Sequence, residues 1–241
     1  MLKINWIYIK GIVLLGLVVF LYGFSYQKNN VKKVKDILIE FEEGKNMFMS
    51  HEIVNKLLIQ NNLTVKNQPK SVIDLHQLEL NVLSHSMVED ATIFLTVDGL
   101  LKAKIKQRTP IARVLSSAKS YYIDKQGKAM PLSENYTARV LLVYGDIMDE
   151  NIEDIHGLVT TILKDEFLKK QIISVTKILK NEYVLKTRVG SQKIILGRLV
   201  NLEEKFKNLK SFFNKTMADK TIEKYSTINL KYNKQVVCTK M

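Results

Sequence analysis

The chain has 241 residues, 46% of them hydrophobic, with one cysteine and a formal charge of +13. That length supplies one large or two modest folded units, each with enough apolar content for a core. A single thiol excludes an intrachain disulfide and a cysteine-built zinc centre, and the basic balance suits an anionic partner or surface without selecting among nucleic acid, lipid headgroup and acidic polymer.

The first element is the segment Ile4–Phe24, mostly apolar and interrupted by a single charge, Lys10. A helix over it runs about 31 Å at 1.5 Å per residue, against roughly 30 Å for a bilayer core. Lys10 is near one end, where its ammonium reaches the interface, and Trp6, Tyr8, Tyr22 and Tyr26 stand at the level of the aromatic belts. The competing reading is a cleaved signal peptide, but the apolar run is long for one and LYGFSYQ has no small-x-small cleavage site. The pattern predicts a tail of residues 1–3, a transmembrane helix over 4–26 and a polar linker over 27–33. Lys28, Lys32, Lys33 and Lys35 follow the span, so the positive-inside rule read from flanking charge alone would hold the rest of the chain in the cytoplasm.

From Val34 the order reads strand, helix, helix, strand, strand. VKDILIEFEE alternates and is rich in β-formers. Ser50 is placed to cap a helix over His51–Asn62, with Ile53, Val54, Leu57 and Leu58 on one face and Glu52 in the first turn. A second helix over Ile73–Ser86 turns Ile73, Leu75, Leu78, Leu80, Val82 and Leu83 inward. DATIFLTV and LLKAKIKQ then flank Asp98-Gly99, a hairpin dipeptide.

A further hairpin opens the second half, where YYIDKQGKAMPL has Asp124 and Gly127 at the first and fourth corners of a type I turn. ARVLLVYG is nearly continuously apolar, as a central strand would be. A helix over Asp146–Phe167 follows with its acids in the first turn, then strands IISVTKIL, EYVLKTRV and KIILG. Asn201 is placed to cap a helix with Leu202, Phe206, Leu209 and Phe213 at helical spacing, and one strand, INLKYNKQVVCTKM, spans Ile228–Met241. Its residues Ile228, Leu230 and Tyr232 share one face and Asn229, Lys231 and Asn233 the other.

No catalytic or metal constellation emerges. His51, His76, His85 and His156 lack HExxH spacing, and Asp74, His76 and Glu79 read as an exposed helical face. In DENIED the sixth position from Asp149 is Asp154 where a calcium loop needs glycine. Cys238 has no neighbouring histidine, phosphate-cradling glycine loops are absent, and the dispersed lysines suit a solvated face better than a nucleic-acid groove. No cofactor or metal is expected.

The short anchor, the β-α-α-β-β unit, YYIDKQGKAMPLS, LEEKFKNLKSFF and the terminal INLKYNKQVVCTK together resemble the bacterial division family FtsQ/DivIB over nearly the whole chain. The resemblance implies an α+β protein: one transmembrane helix, a POTRA domain over 34–112 and a mixed β domain with flanking helices over 113–241. It implies an inner-membrane protein, N-terminus in the cytoplasm and bulk in the periplasm, at the septum. The role implied is a non-enzymatic scaffold that joins FtsB/DivIC-type and FtsL-type single-span partners and helps control septal peptidoglycan synthesis, with a further divisome contact at the POTRA domain left open. In the family a partner strand adds to the last β-domain strand. Matched onto this chain, the aromatic after the leucine-basic pair is Tyr232 and the position two further on is Lys234; no role is carried onto Lys240. Leu230, Lys231, Tyr232, Lys234 and Val236 are the candidate partner-binding residues.

The strand has a physical reading of its own. An edge either shields its unpaired backbone groups with charges such as Lys231 and Lys234, or offers them to a partner strand. Two other classes stay open: a membrane-anchored envelope enzyme acting on cell-wall polymer, and a POTRA-containing translocation or assembly module.

Overall fold

The computed structural model describes residues 6–42, 48–60, 63–178, 181–232 and 235–241. The tail of residues 1–3 lies outside them. α1 (Trp6–Asn30) is an unbroken helix that includes a stretch, Ile9–Asn29, long and apolar enough to cross a bilayer. Lys10 lies 5.7 Å from the Trp6 ring centroid, Tyr22 stacks on Tyr26 one turn on, and the side chain of Tyr8 is outside what is described. The helix does not stop at residue 26. Gln27 and Lys28 are good helix formers, so it continues to Asn30, and Lys33 already bridges to Pro69, which leaves little of 27–33 as a free linker.

The chain divides into two compact units, Met1–Gln107 and Arg108–Met241. In the first, a three-stranded sheet has the order β1 (Asp36–Glu42), β5 (Leu100–Gln107), β4 (Val88–Leu95), with β1 parallel and β4 antiparallel to β5. α2 (His51–Leu57) and α3 (Leu75–Leu83) are the two expected helices, capped by Ser50, which accepts from the Ile53 N–H, and Asp74, which accepts from the Gln77 N–H. α2 is shorter than expected. Leu58 is fully buried and the chain then leaves the helix to pair β2 (Ile59–Gln60) with β3 (Leu63–Thr64), a short antiparallel pair that the helical periodicity of the segment does not reveal. In α3 only Leu78 and Val82, one turn apart, are buried, and Leu80 is exposed, because a short helix lying on a sheet covers it with one stripe. Val54, Leu78 and Val82 are buried in this unit together with Ala91 and Ile93 of β4 and Leu101, Ala103 and Ile105 of β5.

The second unit begins with β6 (Pro110–Leu115), which passes through 112/113 without a break. It is followed by β7 (Ser120–Asp124), β8 (Ala129–Met130), β9 (Leu141–Tyr144), α4 (Ile152–Lys164), α5 (Glu166–Gln171), β10 (Ile172–Ile178), β11 (Glu182–Thr187), β12 (Lys193–Gly197), α6 (Leu202–Ala218), β13 (Tyr225–Asn229) and β14 (Val237–Lys240). The nine strands form one sheet in the order β14-β13-β12-β11-β10-β9-β6-β7-β8. The apolar β9 is central, parallel to both β6 and β10, and β13 runs parallel to β12. Parallel neighbours need long crossovers, and α4 with α5 supplies one and α6 another. These helices cover one face of the sheet. Ile155, Val159 and Ile162 of α4 and Phe206, Leu209 and Phe213 of α6 join Val143, Val175, Ile194 and Ile228 in a single core.

Local chemistry sets the breaks. Asp124 accepts from the Gln126 and Lys128 N–H groups and closes the β7–β8 turn; its buried carboxylate is paired with Arg108 at 2.8 Å. The expected helix over 146–167 is interrupted at Asp165, whose carboxylate caps α5 through the Phe167 and Leu168 N–H groups and pairs with Lys210 of α6. Asn201 precedes α6 as expected but makes no side-chain cap bond, since its backbone is left-handed at φ 53°.

Candidate partner-binding edge

The C-terminal segment is two strands rather than one. β13 continues its parallel ladder to β12 as far as Leu230, whose N–H donates to Ile195 O, and Leu230 is buried in the core. There the Lys231 N–H turns back onto the Asn229 side-chain oxygen, a local bond that competes with further strand pairing. The chain resumes as β14, antiparallel to β13, with Thr227 opposite Thr239, Ile228 opposite Cys238 and Asn229 opposite Val237.

The bend places the candidate residues differently from one another. Lys231 crosses over Gly197, where φ is +72° and an added Cβ would meet the Lys231 Cγ at 2.7 Å, and its ammonium reaches Glu182 at 2.7 Å. Nearby, the Lys205 ammonium donates to the carbonyls of Leu196 and Arg198, and burial holds its pKa below the ordinary lysine value. Tyr232 is half exposed, at 51%. Val236 and Cys238 pack partly against the core, and burial pushes the Cys238 thiol up, away from the reactive thiolate. Lys234 lies outside the described residues. Of the five candidates, Leu230, Lys231, Tyr232 and Val236 thus flank the strands instead of lying in one.

Backbone direction along β14 follows from its bonds. The Met241 N–H donates to Lys224 O, and Thr239 O accepts from Ser226 Oγ, so residues 239 and 241 turn their backbone groups toward β13. The same alternation follows from β12: Ile195 O takes the Leu230 N–H, which directs Ile228 and Leu230 to β12 and leaves Thr227 and Asn229 for β14. Cys238 therefore presents its N–H and C=O outward and Lys240 its N–H, while the Lys240 carbonyl also accepts from the Ser226 hydroxyl at 3.5 Å. Among the described residues no strand pairs with that side of β14. The opposite end of the sheet is β8, only two residues long, which offers a much shorter ladder.

Residues 109–239 match the family model described as FtsQ/DivIB, C-terminal related, which is more than half of the chain, and residues 32–106 match a POTRA-like domain. The chain belongs to the FtsQ/DivIB-related family. It joins a POTRA-like unit to the large mixed sheet, α+β overall, behind one apolar N-terminal helix compatible with a single-pass membrane anchor. Among curated proteins none matches the chain. The membership makes this a divisome-associated protein. The sequence pattern points to the last strand as the open edge but not to its division into β13 and β14, nor to Cys238 and Lys240 as the outward positions. The available signal for the division was Asn229, an asparagine inside an alternating run whose side chain can end a ladder as readily as extend it.

Proposed function

We propose that the chain is a non-enzymatic divisome scaffold that binds an FtsB/DivIC-type partner by β-strand addition to the outer edge of β14, holds an FtsL-type partner in the same assembly, and so helps control septal peptidoglycan synthesis. α1 anchors it in the inner membrane with the N-terminus in the cytoplasm and both folded units in the periplasm, at the division site. The observation that supports this reading is the edge: the outward N–H and C=O of Cys238 and the outward N–H of Lys240 stand on a strand tied to the core through β13, so a partner strand has a ladder to extend. Tyr232, half exposed after the end of β13, supplies an aromatic anchor of the kind that dominates interfaces. Lys231 is engaged with Glu182 and serves the fold of the bend as much as the partner.

The test is titration of the full-length protein in nanodiscs with a soluble heterodimer of the FtsB and FtsL types, alongside imaging of a fluorescent fusion in dividing cells. Saturable binding and a septal band are expected. A folded protein that neither binds the heterodimer nor localises to the septum refutes the reading.

A further inference from the structure

The face of the large sheet opposite the helices bears a side-chain arrangement that the edge does not use. Register across the strands aligns Tyr122, Arg113, Leu142, Ser174, Lys186 and Lys193 in one row, from β7 through β6, β9, β10 and β11 to β12. The next row on that face is Leu115, Tyr144, Thr176, Val184 and Ile195. Two clefts share Leu142 and Ile173: the smaller lies on this face, and the larger also takes in Leu163 of α4 and Lys169 of α5, so it reaches round to the helix side of the sheet. One, of about 450 Å³, lies beside Tyr144, Val184, Lys186 and Lys193. The other, of about 700 Å³, has apolar walls that include Ile111, Leu142, Leu163 and Ile172 and is rimmed by Arg113, Lys125, Arg139, Lys169 and Arg188.

No acidic residue lines either cleft. Around the larger one, Lys169 shares its charge with Glu166 at 3.5 Å and Arg188 Nε donates to Lys170 O. Arg113 stands 5.9 Å from the Tyr122 ring, and its Nε is buried without a hydrogen-bond partner among the described residues. A buried guanidinium nitrogen left unbonded costs the fold stability unless an acceptor arrives from outside. Five cations around one cleft also raise the local potential and draw in an anion.

We propose that the larger cleft binds a phosphate ester carrying an apolar substituent. Three guanidiniums and two ammoniums match a dianionic phosphate better than a single carboxylate, because arginine forks bond two phosphate oxygens at once. The volume is in the range of single-ligand pockets, and the apolar walls take the substituent. A uniform polyanion lying across the face would meet Leu142 and Val184 between the cationic ends, which disfavours it.

The experiment uses the full-length protein in phosphatidylcholine nanodiscs, with leucine methyls labelled for NMR, titrated in turn with hexyl phosphate, inorganic phosphate and hexanol. Hexyl phosphate should shift the Leu142 and Leu163 methyls and bind about tenfold or more tightly than either half-molecule. Arg113→Gln and Arg139→Gln should each weaken it by about tenfold, while Lys207→Gln on the exposed side of α6 leaves it unchanged. Arg139 is exposed in a loop, so its variant remains informative if Arg113→Gln disturbs the sheet. Equal affinity for hexyl phosphate and inorganic phosphate, equal affinity for hexyl phosphate and hexanol, or undiminished binding in the folded arginine variants overturns the proposal. A parallel series in nanodiscs containing phosphatidic acid separates the sources. Leu142 and Leu163 shifts present before any addition identify a lipid headgroup; shifts that need hexyl phosphate identify a soluble ester, and both support the site.

Discussion

Replacing Cys238 with proline separates strand addition from mere edge protection. The Cys238 N–H points away from β13, so proline there removes no bond of the protein's own ladder, and edge positions whose N–H faces solvent are where strands accept proline. The preceding residue, Val237, is already extended, as proline requires. An added partner strand, about 4.8 Å away, loses one donor and meets the pyrrolidine ring in its place. Leaving a partner carbonyl unpaired in a buried ladder costs about 2 kcal/mol, roughly thirtyfold in affinity. Lys240→Pro removes the second outward donor at a similar cost, whereas Thr239→Pro breaks the β13 ladder and should lower the melting temperature itself. The assay is titration of full-length protein and variants in nanodiscs with the soluble heterodimer, with circular dichroism and a melting curve on each. Unchanged affinity in folded Cys238→Pro and Lys240→Pro proteins would mean that β14 is a closed edge and that the partner docks elsewhere.

Tyr232→Ala should weaken the same titration by about 2 kcal/mol without lowering the melting temperature; an equal loss of melting temperature would make Tyr232 a residue of the fold. The Lys210 ammonium, followed by the Leu168 N–H, holds the Asp165 carboxyl below its usual range, so this pair's stabilisation is complete above the unfolded carboxylate value of about 4 and is lost as pH falls through the lower folded value. Asp165→Asn keeps a cap but not the charge, and should flatten the acid limb of stability below about pH 4 by under about 1 kcal/mol for this partly exposed pair; a denaturant series against pH reads it. Gly145→Ala should destabilise by about 1–3 kcal/mol, because φ is +115° and the added Cβ would sit 2.8 Å from the Lys177 carbonyl oxygen; an unchanged urea midpoint would show that the β9 exit relaxes freely. Full-length protein should remain with membranes through alkaline carbonate extraction, and recovery of a mature N-terminus near Tyr26 would show a cleaved signal peptide instead.

Sequence by itself determined the features carried by local pattern. The apolar run of α1, the turns at Asp98-Gly99 and Asp124–Gly127, the Ser50 cap and the Phe206, Leu209 and Phe213 stripe of α6 each depend on neighbours within a few residues, and each is present. The nearly continuous apolarity of ARVLLVYG likewise pointed to an interior strand, and β9 lies between β6 and β10 in the sheet. Only the tertiary structure decided where helices and strands stop when two local preferences compete. Ile59 and Gln60 leave a helical pattern to pair with Leu63 and Thr64, and Leu230 ends β13 because its burial and its bond to Ile195 are satisfied just as the Asn229 side chain captures the next N–H. The direction of the free edge at Cys238 and Lys240, and the row that brings Arg113 beside Leu142, depend on strand order and register. Those are set by contacts between segments far apart in the chain, which a local pattern cannot contain.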